Sequence, residues 1–218
     1  LRLVERRRAV LSCSPAPGGN TSEAVLYAAH LCGVNEFYRV GGAQAVAAMA
    51  YGTDTIKKVS KIVGPGNAYV AQAKRSVFGK VDIDMIAGPS EICIVADSTA
   101  NPAWCAADIL SQAEHDEKAW AFLLTPSSAF IDKVAKEVAR QIKGLPREGI
   151  AKKCLAKHFY AVKTRSVNEA VSLANKIAPE HLQLVLKDSA ARVKDIQNAG
   201  AVFVGHYTPE VLGDYLAG

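Results

Sequence analysis

Short β-rich apolar runs alternate with helical patterns along almost all of this 218-residue chain, and that rhythm leaves few folds open. RAVLSC (8–13), EFYRV (36–40), KIV (61–63), AWAFLLT (119–125), FYAVKT (159–164), LQLVL (182–186) and AVFVG (201–205) read as strands. DMIAGPSEICIVAD (84–97) reads as two more apolar runs, interrupted by Gly88-Pro89. Helical segments fill the gaps: 21–31, an Ala-rich stretch after Gly41-Gly42, 67–78, one opened by Pro102, the amphipathic 128–143, and 189–198. Proline suits a first helical position, because the N–H it lacks would have no partner there. Ser166 and Glu169 form a capping box for a helix through Ile177. Apolar strands alternating with helices indicate the α/β class, a parallel sheet covered on each face. The best boundary is Ala87-Gly88-Pro89. We therefore expect two Rossmann-like lobes of mostly parallel sheet, 1–87 and 88–218, with a cleft between them. Ligands are expected at the carboxyl ends of the strands.

Composition narrows the function classes. Half the residues are hydrophobic, yet no run approaches the ~20 apolar residues of a membrane span, so no membrane role is expected. Net charge is +5, but the basic run Arg6-Arg7-Arg8 reads as a solvated helix end, with no aromatic-interleaved stripe for nucleic acid. Five scattered cysteines without a CxxC suggest reduced thiols, a cytoplasmic setting and mostly small core residues. The start, LRLVERRRAV, has no signal-peptide core and no initiator Met, which reads as a trimmed or excised chain.

Two turns share a design. VGGAQA (40–45) and VGPGNA (63–68) each end a strand, turn on glycines and place an amide, Gln44 or Asn67, near a helix start. Such turns admit a ligand close to the backbone and favour anions such as a pyrophosphate. Neither is GxGxxG, so an ordinary strand-to-helix turn stays an open alternative. In IAPEHLQ (177–183), Pro179 stops a helix and Glu180 and His181 stand side by side before a strand. Adjacent positions point in different directions. They could present an acid and a base to one ligand, with His as general base and Glu holding water, or form a solvated loop pair. In LSQAEHDEKAW (110–120), Gln112 and His115 share a face if the helix from Pro102 runs to His115. Amide oxygen and imidazole can ligate a divalent metal, but two ligands do not make a site. Asp214 reads locally as a cap or a solvated acid. His30 and His158 read as structural, and His206 follows the last strand at a position like that of His181.

Together these stretches resemble the histidinol dehydrogenase family. FYRVGGAQAVAAMAYGT, KIVGPGNAYVAQAKRSVFG, IDMIAGPSEI, ADILSQAEH, IAPEHL and GDYLAG occur in the family's order over essentially the whole chain. The resemblance implies oxidation of L-histidinol through the aldehyde to L-histidine, the last steps of histidine biosynthesis, with two NAD⁺ consumed. It implies His181 as general base and Glu180 as activator of water for the second step. It implies Gln112, His115 and Asp214 as ligands of a substrate-orienting zinc, and Ser90 as a substrate contact. It places Gln44 and Asn67 against NAD, and implies a homodimer. The family's chain also begins earlier, with a YVPGG turn, and continues past GDYLAG into an NHVLPT-type segment. Its tail supplies the last zinc ligand from the other subunit. This chain thus reads as the central part, with the first strand of the first lobe missing and little activity expected alone. Asp116 stands where the family usually has Gly. The rivals are an inactive α/β module of the family, a related dehydrogenase of another amino alcohol, and covalent trapping of the aldehyde by a thiol.

Overall fold

The computed structural model describes residues 8–16, 18–86, 88 and 90–214, with Asp214 described in its backbone alone. It divides into two compact units, Leu1–Gly88 and Pro89–Gly218; Ala87 and Pro89 themselves lie outside the described residues, as do Arg6 and Arg7.

In the first unit, β1 (Val10–Ser12) is followed by α1 (Glu23–Leu31), β2 (Glu36–Tyr38), α2 (Gly42–Tyr51), β3 (Lys61–Ile62), α3 (Ala68–Val77) and β4 (Asp82–Ile83). The strands form two separate parallel pairs, β1–β2 and β3–β4, rather than one sheet. At two or three residues each, they offer few ladder hydrogen bonds. Val46, Ala50, Ile62, Val77 and Val81 make a small core. Arg8 is not at a helix end: it leads into β1 and grips Glu36 through Nε and Nη2 at 2.5 and 2.6 Å.

One charge pair, with a buried ammonium and a partly exposed carboxylate, organises the Gly64–Asn67 turn. Asp84 ion-pairs with Lys74, which is only 2 % exposed, and accepts from the Gly64 N–H at 2.8 Å. Lys74 Nζ also donates to the Gly64 carbonyl at 3.0 Å. Burial pushes the Asp84 carboxyl up, but hydrogen bonds from Gly64, Lys74 and Met85 outweigh it and bring it down to about 2. Asp84→Asn leaves the buried ammonium without its charge partner and is expected to destabilise this unit by about 2 kcal/mol, less than for a fully buried pair because solvent reaches the carboxylate. A depressed carboxyl pKa stabilises above the unfolded value near ~3.9 and loses that contribution as pH falls through the folded value. The gap between wild type and variant in denaturant unfolding should therefore narrow below pH ~4 and close near pH ~2. A gap independent of pH would exclude the pair as its cause.

The second unit is a five-stranded, all-parallel sheet. Its elements are β5 (Glu91–Ala96), α4 (Pro102–Ala113), β6 (Trp120–Thr125), α5 (Ser128–Gln141), α6 (Glu148–His158), β7 (Phe159–Lys163), α7 (Val167–Ile177), β8 (His181–Val185), α8 (Ser189–Arg192) and β9 (Ala201–Val204). The strand order is β7-β6-β5-β8-β9. Ile92, Ile94, Ala121 and Leu123 meet α4, α5 and α6 on one face. Cys93, Val95, Leu124, Leu182 and Leu184 meet α7 on the other. Burial on both faces explains why these strands are nearly continuous apolar runs. Asn101 caps α4 by accepting from the Ala103 N–H at 2.9 Å, with Pro102 next, and Ser166 caps α7 through the Glu169 N–H. The Glu169 carboxylate bonds the N–H of Arg165, one residue before the place a capping box would send it.

Three elements differ from the sequence expectation. Helix α6 carries no clear sequence signal; its apolar residues Ala151 and Cys154 are buried in a mainly polar segment. The last helix is one turn, Ser189–Arg192, followed by a 3-10 turn at Val193–Asp195. Helix α4 ends at Ala113, so His115 lies in the turn beyond it. No helix among the described residues is long and apolar enough to cross a membrane.

Candidate active site

The starts of β5 and β8 lie side by side, with Ile92 opposite His181 and His181 opposite Ala201. That register brings GPSE and APEH together across the sheet. Ser90 precedes β5, and Glu180 and His181 open β8. The cluster therefore sits at the amino ends of the strands, where the expectation was the carboxyl ends. The physical reason is local: both motifs end a turn and enter a strand, and a parallel sheet puts all such entries on one edge.

Glu180 and His181 diverge. Glu180 is exposed, and its Oε2 accepts from the Glu91 N–H at 3.3 Å. His181 turns toward the α4 face, where its Nδ1 lies 3.1 Å from Glu210 Oε1 and 3.3 Å from Gln112 Oε1. Its ring meets Phe203 edge-on at 5.8 Å. Gln112 and Glu210 are 2 % and 3 % exposed, and Glu210 Oε2 also takes a hydrogen bond from Ser111 at 3.3 Å.

This polar column continues inward. Gln183, also buried, donates from Nε2 to Asp108 Oδ2 at 2.8 Å and to the Thr208 carbonyl at 3.2 Å, while its Oε1 has no hydrogen-bond partner. Burial pushes the Asp108 carboxyl up to about 6; the Gln183 bond opposes the rise and the charge of Glu210 adds to it. Asp108, Gln183 and Glu210 were not among the sequence candidates. The signal for Gln183 was a polar residue on an otherwise apolar central strand. For Asp108 it was the spacing Asp108, Ser111, Gln112 on one helix face. Nothing in the sequence around Glu210 marks it, and only the fold reveals its burial.

His115 is exposed; its N–H reaches the Gln112 carbonyl at 3.2 Å and its own carbonyl accepts from Arg147 at 3.0 Å. The side chain of Asp214 lies outside the described residues, as do Tyr215–Gly218 of GDYLAG. Gln112 and His115 are compatible zinc donors at one helix end, but among the described residues no three His, Cys, Asp or Glu side chains form a metal-binding group. In the first unit, Asn67 caps α3 by accepting from the Tyr69 and Val70 N–H groups. Gln44 is exposed, and its Oε1 would lie 2.7 Å from a Cβ at Gly42, whose φ is +71°. His30 is exposed, His158 packs on Trp120 with tilted rings 4.6 Å apart, and His206 lines a cavity of about 270 Å³ with Trp104, Asp108, Gln183, Tyr207 and Pro209. The buried thiols argue against a covalent route: burial raises Cys93, lifts Cys105 to about 12 and lifts Cys154 to about 11, whereas a nucleophilic thiol needs the opposite shift.

A family model for histidinol dehydrogenase matches residues 4–218. The chain belongs to the histidinol dehydrogenase family. It is 57 % identical over 204 residues to the histidinol dehydrogenase of Rhizobium meliloti, covering 94 % of this chain and 47 % of that protein. It is 52 % identical over 209 residues to that of Sulfurimonas denitrificans, covering 96 % and 49 %. The crystal structure of histidinol dehydrogenase from Elizabethkingia anophelis superimposes with a TM-score of 0.90 at 41 % identity, over 96 % of this chain and 48 % of that one. The chain thus spans about half the length of the curated histidinol dehydrogenases it matches, and their name makes this an oxidoreductase family.

Proposed function

We propose that this chain supplies the catalytic edge of an NAD-dependent histidinol dehydrogenase. The overall change is L-histidinol, two NAD⁺ and water to L-histidine, two NADH and three protons. The observation that carries the reading is the meeting of Ser90, Glu180, His181 and Gln112 at the amino edge of one sheet, with Glu210 buried behind His181.

His181 takes the hydroxyl proton as hydride leaves for NAD⁺. With Nδ1 donating to Glu210, the base is Nε2, and the buried carboxylate stabilises the imidazolium that forms. The aldehyde must then gain water before a second hydride can leave. Glu180 at the exposed lip polarises that water, with His181 assisting. Ser90 contacts the substrate beside them. Zinc, held by Gln112, His115, Asp214 and a ligand from the other subunit of a homodimer, would bind the imidazole and amine of the substrate and orient it. Gln44 and Asn67, at the two glycine turns of residues 1–87, contact NAD; residues 88–218 carry the zinc and catalytic groups. The setting is the cytoplasm, with no nucleic-acid or membrane partner.

The test uses a full-length chimaera in which the 204 aligned residues of this sequence replace their counterparts in the Rhizobium meliloti protein. Assayed with NAD⁺, Zn²⁺ and a panel of amino alcohols, it should form NADH fastest with L-histidinol. No preference for the imidazole compound would favour a dehydrogenase of another amino alcohol. No NADH, beside an active parent, would favour an inactive module.

A further inference from the structure

We propose that Gly200 is a positioning residue for Glu180, and that its lack of a side chain keeps the Glu180 carboxylate where the second oxidation needs it. This rests on the reading of Glu180 above.

The two catalytic neighbours are held very unequally. His181 is fixed by strand pairing on both sides, by Glu210 and by Gln112. Glu180 precedes the strand, is exposed, and its carboxylate is bonded to the Glu91 N–H. Its place depends on the backbone of the turn 178–180.

That turn is built to tight tolerance. Ala178 closes α7 in the left-handed region, at φ 52° and ψ 55°, and is the only non-glycine residue with positive φ among the described residues. Such a conformation is costly for a residue with a Cβ and persists where its surroundings impose it. Pro179 is fully buried, which pins the middle of the turn. The chain entering β9 closes it from the other side: the Gly200 N–H donates to the Pro179 carbonyl at 3.0 Å and the Ala201 N–H to the Glu180 carbonyl at 2.8 Å.

Gly200 is in contact with the peptide that carries the acid. A Cβ there would lie 2.6 Å from the Glu180 carbonyl oxygen and 3.3 Å from its Cα. Those are backbone atoms, which cannot swing aside as a side-chain tip would. Any larger residue at 200 must therefore displace Glu180, while the strand ladder and Glu210 hold His181. The expected damage falls on hydration of the aldehyde rather than on the first hydride transfer.

The test compares Gly200→Ala, Ala178→Gly and Glu180→Gln in the full-length chimaera, measuring histidinol and histidinal oxidation separately in each sample. The ratio of the two rates does not depend on the folded fraction. Gly200→Ala should lower histidinal oxidation at least ~10-fold relative to histidinol oxidation, through kcat rather than KM. Ala178→Gly, which loosens the turn, should move the ratio the same way by ~2- to 3-fold. If Glu180→Gln changes the ratio and neither turn variant does, Gly200 is not a positioning residue. If Glu180→Gln lowers both rates equally, the assignment of Glu180 to the second step fails, and the present inference with it.

Discussion

Glu210→Gln in the full-length chimaera is expected to slow both oxidations together by about 100-fold, within the range attributed to a positioned acid–base group. The carboxylate is 3 % exposed, and its Oε1 lies 3.1 Å from His181 Nδ1. A carboxylate accepts only, so it selects the tautomer with the proton on Nδ1, which makes Nε2 the base of the proposed mechanism. An amide can turn its NH₂ toward the ring and stabilise the other tautomer, and it carries no charge to favour the imidazolium. Glu210→Asp, which keeps the charge on a shorter arm, should recover part of the rate. Steady-state rates with histidinol and with histidinal decide the matter: wild-type rates in Glu210→Gln would remove the carboxylate from the mechanism.

Glu180→Gln should behave differently. Histidinol oxidation is expected to stay within a few-fold of wild type, while histidinal oxidation falls by about 100-fold or more. Histidinal should then build up and be trapped by an added aldehyde reagent. The contrast follows from placement: His181, the proposed base for both steps, lies on the α4 face of the sheet, whereas Glu180 stands at the exposed lip against the Glu91 N–H. Equal loss of both rates would show that the two residues act as one unit.

Much of the fold was legible because its signals are local. Glu91–Ala96, Trp120–Thr125 and His181–Val185 are apolar runs whose burial a parallel sheet demands, and Asn101-Pro102 and Ser166 start helices by satisfying N–H groups. Helix α6 was missed because its polar sequence hides two buried positions, Ala151 and Cys154. Residues 189–198 have a helical pattern, but Ile196 is already extended, and the Asn175 amide takes up the Gln197 and Asn198 N–H groups.

The site was legible in its motifs and illegible in its depth. GPSE and APEH stand out in the sequence, but their meeting depends on β5 and β8 being neighbours, which no local pattern dictates. Glu210 is remote from His181 in the chain, and its burial comes from the turn after β9 folding back on α4. The general rule for open α/β sheets points to carboxyl ends, whereas the candidate cluster lies at the amino ends. Here the candidate residues enter the strands rather than leave them.

If one cluster at this edge conducts both oxidations, the stoichiometry of L-histidinol conversion by the full-length chimaera reveals it. Two NADH and one L-histidine are expected for each L-histidinol consumed, with no histidinal released. One NADH for each histidinol, with the aldehyde as the end product, would contradict it.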